Sequence, residues 1–573
     1  MYLRRTRSGS RDYLQLVESF RVDGGVRQRV LYSFGRLDQL DADQVKTLID
    51  GLVRHTGVVL PSALPAPSVP VIESARAFGD TFVLDHLWRK LGLQSALRGA
   101  LGSRRIRHEP LIRAMVLHRL CDPGSKLGTL RWLEDAVIPG VQTPSHAALL
   151  RAMDALEDSA DALESCVLKA LRPLLDQQLS VVFYDLTTIR AEGQSELTDD
   201  LRAFGHSKDR DLPARQVVVG VVQSACGLPL LHTVHKGNIA ETATLLTMVR
   251  TLKAKLPIKR LVLVADRGLM STDNLAALKA CDGAVDFIMA VPAKRYRVLA
   301  PAIAALAFAA DETGIKTLPI AEATEVAADL RQHRLIVSRN AERAAYERTT
   351  RDALIAELCQ WADAQAEKLE AQDAGTPAQG TRLTDAKVYH QIRTRIENKR
   401  LSRIMRVELN DGLFSYEIDP QALERAQTFD GVLVIATSLS ESDMAAERVV
   451  ERYRALADIE TGFQVLKNEI EMAPMFHRLP TRIRAHGAIC FLALVLNRYL
   501  RQQLKRHGRE ESPRRLLEQL RQIRLCAVRQ GPQRSQSLTE IPPEQQALLT
   551  QLSLPLPTPS VRLLVTQDKT TGR

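Results

Sequence analysis

The sequence predicts an α/β fold: a mixed sheet core, interrupted by a large insertion and preceded by a helical domain. Three observations carry that prediction. Between Leu179 and Val291, five short β-branched runs (SVVFYD, RQVVVGVVQ, LPLLHTVHK, RLVLVAD and VDFIMAV) alternate with helical candidates, the pattern of a sheet with helices packed on it. Another buried-strand run, GVLVIATS, and an amphipathic helix return only after Asp430. From about Ala77 to Leu175 the apolar residues recur at three and four, as in LIRAMVLHRLCD, which is the period of helices. A chain of 573 residues exceeds one ordinary core and calls for several structural units.

The elements follow in order. Residues 1–57 open with a basic hairpin, YLQLVESFRV and RQRVLYSFG about Asp23-Gly24-Gly25, where glycine supplies the positive φ of a tight turn. Residues 58–76 are a linker, because Pro61, Pro65, Pro67 and Pro70 forbid regular helix. Residues 77–175 are the helical domain, expected to bind DNA, and 176–291 the first part of the sheet core. There Asn238, three residues before Glu241, opens a helix as a capping box, and Ser271 or Thr272 caps the next. Residues 292–430 form the insertion, with a strand candidate HRLIVS, a long helix from Asn340, a tip at DAGTPAQGT, a basic helix VYHQIRTRIENKRLSRIM and a strand candidate FSYEID. Residues 431–500 complete the core. There SESDMAAERVVERYRALADIETGFQVLKNEIEM reads as one long helix stopped before Pro474. Residues 501–573 are a tail, dense in arginine, then Pro-rich and expected to be disordered from IPPEQQ onward.

Composition narrows the function classes. Lys and Arg number 78 against 67 Asp and Glu, a net charge of +11 that suits a polyanionic partner. Seven cysteines, never in a C-x-x-C spacing, argue against a disulfide framework and a zinc module. The longest uncharged apolar run, Gly487 to Leu496, is about half of what a bilayer span requires. The N-terminus lacks the apolar stretch of a secretory signal, so an intracellular location is expected. Aromatic residues make up 5% of the chain, too few for the stacking platforms of a carbohydrate hydrolase.

Position singles out three of the acidic residues. Asp185 ends the apolar run LSVVFYD, and Asp266 ends RLVLVAD; a charge that terminates a buried strand sits at the sheet rim, where ligands bind in α/β folds. Glu460 shares one helix face with Val449, Tyr453, Leu456, Phe463 and Lys467. A glutamate in an apolar stripe is costly unless it is paired or coordinates an ion. Carboxylates brought together repel one another, and a divalent cation removes the conflict. Hard oxygen ligands favour Mg²⁺ or Mn²⁺, and two such ions support in-line phosphodiester displacement. The chemistry expected is phosphoryl transfer on nucleic acid.

At these residues the chain resembles the DDE transposases of bacterial insertion sequences, in the group with a Tyr, Arg, Glu, Lys signature on the catalytic helix. The resemblance runs through YDLTT (Asp185, Thr187, Thr188), ADRG (Asp266, Arg267, Gly268), GHSKDRD, HKGNIAETATL, and the spacing of Tyr453, Glu460 and Lys467. It covers roughly Leu179 to Leu500. One departure stands out: the signature Arg position holds Leu456, and on a continuous helix Arg454 lies about 200° away from it. The departure bears on a phosphate contact and leaves the acidic triad intact. The resemblance implies a ribonuclease-H-like core in which Asp185, Asp266 and Glu460 hold two Mg²⁺ (or Mn²⁺) ions. It also implies cleavage at the ends of an insertion sequence and strand transfer into target DNA. Tyr453 and Lys467 are then DNA contacts, with Arg267 and Lys208 as further phosphate-contact candidates. Double-stranded DNA, a homodimer in a synaptic complex and a bacterial cytoplasmic setting follow as expectations, as does salt-dependent binding with a slope near −0.9 per phosphate. Two alternatives are a nuclease of the same fold that does not join strands, and a DNA-binding derivative without catalysis. His486 reads as a packed, hydrogen-bonded histidine, while Trp361 and the basic run Arg393 to Arg406 read as a solvated helix face.

Overall fold

The computed structural model describes residues 1–22, 25–58, 69–102, 107–174, 180–193, 198–205, 214–255, 260–266, 278, 285–309, 311–319, 328–375 and 383–558. They divide into two compact units, one built from residues 1–73 with 527–535 and the other from 74–526 with 536–558. In the first unit the expected hairpin gains a strand. β1 (Tyr2–Ser8), β2 (Arg11–Val22) and β3 (Gly25–Arg36) form an antiparallel sheet, and α1 (Ala42–Thr56) follows, capped by the Asp41 side chain.

β4 (Val71–Ala77) precedes the helices of the second unit, α2 (Gly79–Lys90), α3 (Leu93–Leu101), α4 (Glu109–Cys121), α5 (Lys126–Asp135), α6 (His146–Asp158) and α7 (Ala160–Leu171). The sheet strands are β5 (Ser180–Arg190), β6 (Ala203–Phe204), β7 (Arg215–Ser224), β8 (Pro229–Lys236), β9 (Leu261–Ala265), β10 (Val285–Ala290), β11 (Gly314–Thr317) and β12 (Arg334–Arg339). After the hairpin β13 (Met405–Asn410) and β14 (Leu413–Ile418), β15 (Val432–Thr437) completes the sheet. Its order is β11-β12-β15-β10-β9-β5-β7-β6, with β8 also on β7. The pairs β5–β9 and β9–β10 are parallel, and the flanking pairs are antiparallel. The mixed, ribonuclease-H-like sheet expected from the sequence is present.

Alternation along the strands builds two apolar layers. On one face Val182, Tyr184, Leu263, Ala265 and Phe287 pack with Leu245, Met248 and Leu252 of α8 (Glu241–Lys255) and with Leu299 of α9 (Tyr296–Ala305). On the other, Val181, Phe183, Val262, Val264 and Ile435 pack with Val449, Val450, Leu456 and Ile459. β11 and β12 lie within the range read as insertion and yet join the sheet, because LIV in β12 is fully buried against β15. After the short α10 (Ala328–Arg331), the segment between β12 and β15 has its own core. There α11 (Ala341–Asp373), α12 (Asp385–Asn398) and β13 meet through Leu358, Ala362, Ile392, Ile396 and Met405, before α13 (Pro420–Thr428).

Two expectations need correction. The single long helix is broken into α14 (Ala446–Arg454), α15 (Ala457–Gln464) and a π-helical turn over Val465–Glu469. Residues 501–558 are no tail. α16 (Pro480–Arg506) runs through it, followed by α17 (Pro513–Leu520), β16 (Arg524–Gln530), β17 (Gln533–Leu538) and α18 (Pro543–Gln551). Pro543 stands in the first turn of α18, where its missing N–H costs nothing, and Leu548, Leu549, Leu552 and Leu554 are buried. The helices α2–α7 share one core with α16 and with Val217, Val219 and Val221 of β7. α16 is long and apolar enough to cross a membrane, but 89% of its apolar window is buried inside the protein.

Candidate functional site

Register brings the first two acids together. In the parallel pair β5–β9, Tyr184 lies opposite Ala265, so the next residues, Asp185 and Asp266, stand side by side. Phe183 and Val264, two positions before them, belong to the layer covered by Val449, Val450, Leu456 and Ile459. With a side-chain period of two, both carboxylates project toward that same helical layer. Asp185 and Asp266 are half-buried, and the Leu186 backbone N–H donates to Asp185 Oδ1 at 2.7 Å.

That layer carries the third acid. At the end of α14 the backbone tightens: the N–H groups of Leu456, Asp458 and Ile459 donate to the carbonyls of Tyr453, Ala455 and Leu456, three residues back. Leu456 is the pivot of the break and is buried to 6% exposure. Asp458 fixes α15 to the rest of the fold: it pairs with Arg498 of α16 and accepts from Gln223 Nε2 of β7 at 2.9 Å. Glu460 is exposed on α15 and, with Asp266, Tyr453, Arg454 and Leu456, lines a cavity of about 390 Å³. The Tyr453 hydroxyl donates to Asp266 Oδ1 at 3.4 Å. Asp185 is not part of that lining.

The break also places a residue that sequence reasoning set aside. Arg454 ends α14, so the rotation expected on a continuous helix does not apply, and it lines the same cavity while donating to Ser338 Oγ at 3.1 Å. Asn340 and Arg343, from the start of α11, face the cavity too. No spacing in the sequence pointed to them, since they come from the far side of the sheet order. Lys467 lies half-buried on the π-helical turn, a geometry frequent at functional sites. Arg267 and Lys208 lie outside the described residues. So do the second helical candidate from Ser271, apart from Leu278, and the tip of the insertion, apart from its first three residues.

Among the described residues, no group of three or more His, Cys, Asp or Glu is drawn together tightly enough to hold a metal ion. The donor set still fits a hard divalent cation, because the described lining offers carboxylate oxygens from Asp266 and Glu460 and neither His nor Cys. His486 is buried, with Nε2 3.4 Å from the Met472 carbonyl, as a packed histidine should be. The Arg395 guanidinium covers Trp361 at 4.6 Å from the ring centre.

Comparison with known proteins gives two family matches. Residues 176–497 match the transposase DDE domain, and residues 3–61 match the N-terminal domain of IS1634 family transposases. Among solved structures, the chain is similar to the piggyBac transposase synaptic complex with hairpin DNA. Identity is 8%, coverage 80% of this chain and 82% of that one, and the TM-score 0.37. It is also similar to the Drosophila P element transposase strand transfer complex, with 13% identity, 73% and 98% coverage, and a TM-score of 0.20. A search of curated proteins returns no match.

Proposed function

The chain belongs to the transposase DDE family, enzymes that cleave DNA and transfer strands with divalent metal ions, and from that premise we propose that Asp185, Asp266 and Glu460 are its catalytic, metal-holding residues. The observation that carries this reading is the pairing of Tyr184 with Ala265. It sets Asp185 and Asp266 in register, facing the helical layer that bears Glu460. When bound, Mg²⁺ or Mn²⁺, two ions in this reading, supplies Lewis-acid stabilisation of the attacking and leaving oxygens of a phosphodiester.

The chain's own groups do the rest. The Tyr453 hydroxyl steadies Asp266 through its hydrogen bond. Arg454 and Lys467 offer positive charge to the DNA backbone, Arg454 taking the phosphate contact that Leu456 cannot make. Arg267 and Lys208 remain proposed phosphate contacts. The substrate is double-stranded DNA at the ends of an insertion sequence and in the target, held by a homodimer that joins two ends, in the bacterial cytoplasm. The helices at 77–175 are proposed to share in DNA binding.

The test is an assay of the full chain with labelled terminal-repeat DNA and Mg²⁺, scoring both cleaved and joined products. Asp185→Asn, Asp266→Asn and Glu460→Gln should each lower cleavage by roughly 10² to 10³-fold or more, with Tm unchanged. Wild-type cleavage by Asp185→Asn would show the assigned site to be wrong.

A further inference from the structure

A second, larger cavity of about 1310 Å³ shares no lining residue with the one beside Glu460. Arg119 of α4, Lys126 of α5, Arg478 from the chain leading into α16 and Arg482 in the first turn of α16 all face it, and no carboxylate is among its described lining residues. Arg482 is already committed to Asp154 through two bonds at 2.9 and 3.1 Å.

Arg119 and Lys126 are not so committed. Both are 6% exposed. The Lys126 ammonium meets His486 Nδ1 at 3.5 Å, and among the described residues no carboxylate pairs with it. Arg119 Nη1 donates to the backbone carbonyl of Glu471 at 3.0 Å, while among the described residues its buried Nε has no partner. Burial, then the neighbouring Arg119, pull the Lys126 pKa down to about 7. Two buried cations beside one another with no counter-anion are costly to keep. Phe476, also in the lining, is 66% exposed, and among the described residues no other ring or guanidinium packs on it. Phe204, the other exposed ring there, already carries the Arg215 guanidinium at 5.6 Å.

We propose that this cavity is a second DNA site, in which Lys126 and Arg119 hold a backbone phosphate and Phe476 stacks the base of an unpaired nucleotide. The inference rests on the DNA-cleaving function above. The buried cations lack an anion, and a phosphodiester supplies one. An exposed ring stacks any base that is not already paired and stacked. The volume exceeds what one phosphate fills, which favours a stretch of strand over a free anion.

The experiment uses the full chain without metal and three probes: inorganic phosphate, a single-stranded oligonucleotide carrying 2-aminopurine, and blunt duplex DNA. Lys126→Met should melt higher than wild type in the absence of DNA, because it removes an uncompensated buried charge, and should weaken oligonucleotide binding at least about tenfold. Phe476→Ala should leave Tm as it is, abolish 2-aminopurine quenching and weaken the oligonucleotide roughly 5- to 150-fold. The proposal is overturned if Phe476→Ala binds the oligonucleotide like wild type, or if Lys126→Met melts lower yet binds normally. A thermal shift by phosphate with none by the oligonucleotide overturns it too, leaving a free-anion site. A parallel cleavage assay with Mg²⁺ separates the two readings. If the wild type cleaves and joins while the oligonucleotide arm fails, only the cavity assignment falls. If it does neither, the catalytic reading falls, and the cavity is judged by the oligonucleotide arm alone.

Discussion

Leu456 packs with Val449, Val450 and Ile459 under the sheet and is 6% exposed, so a guanidinium at that position would be desolvated and would displace that apolar packing, although the residue also borders the cavity. Arg454, two residues earlier, is exposed and borders the same cavity without that cost. The two residues therefore make opposite predictions. Arg454→Ala should lower cleavage by roughly 10- to 150-fold, the worth of one charge-assisted hydrogen bond to phosphate, with Arg454→Lys recovering part of it. Leu456→Arg, which restores the family's signature letter, should lower stability by about 3 to 5 kcal/mol and leave cleavage no faster. Thermal melts and initial rates on one terminal DNA substrate decide both. A faster, fully stable Leu456→Arg variant would return the phosphate contact to position 456.

At the scale of elements, Gly79 joins the helical region to the C-terminal segment. A Cβ there would lie 2.2 Å from the Leu520 carbonyl oxygen and 2.8 Å from Ile523 Cβ, while the Phe78 and Gly79 N–H groups both donate to the Ile523 carbonyl. Because backbone cannot swing aside, Gly79→Ala should cost about 1 to 3 kcal/mol and open the segment through α18 to limited proteolysis. An unchanged urea midpoint would contradict that contact. The strands could be read because runs such as LVLVA bury every residue, and Asp266 does follow where that run stops. Asp185 does not end its strand: β5 continues to Arg190 along the β7 ladder, because Thr187, Thr188 and Ile189 are buried as well. The break after Arg454 could not be read, since no Gly or Pro marks it. It is held by distant partners of Asp458, namely Gln223 and Arg498. Pro542 and Pro543 read as disorder when their role was to start a helix whose leucines find a core far earlier in the chain. The place of Arg454 beside the cavity is hidden by the same break, because it depends on the helix not running straight.

For the whole molecule, the balance of buried titratable groups sets how stability follows pH. Burial, and for two of them nearby cations, pushes three histidines down: His118 to about 3, and His232 and His477 to about 4. His486 goes well below its ordinary value by the same causes, burial first and then Lys126. In the unfolded chain each titrates near 6.5. Between that value and the folded one, the unfolded state binds more protons, so stability rises with pH and is lost as pH falls below about 6.5. Lys126 acts in the same direction higher up. Its folded pKa of about 7 lies below its ordinary value of 10.5, so the penalty for its charge is complete below pH 7 and relieved as pH rises toward 10.5. The Tm should therefore climb steadily from pH 5 to pH 8, a window kept above the range where carboxylate protonation and the net charge of +11 add their own repulsion. Lys126→Met should flatten the upper half of that climb and His232→Gln the lower half. A Tm that is level across pH 5 to 7 would mean that these rings reach water in solution. With the second DNA site filled, a phosphate beside Lys126 favours its charged form, so saturation with the single-stranded oligonucleotide should raise Tm more at pH 7 than at pH 9.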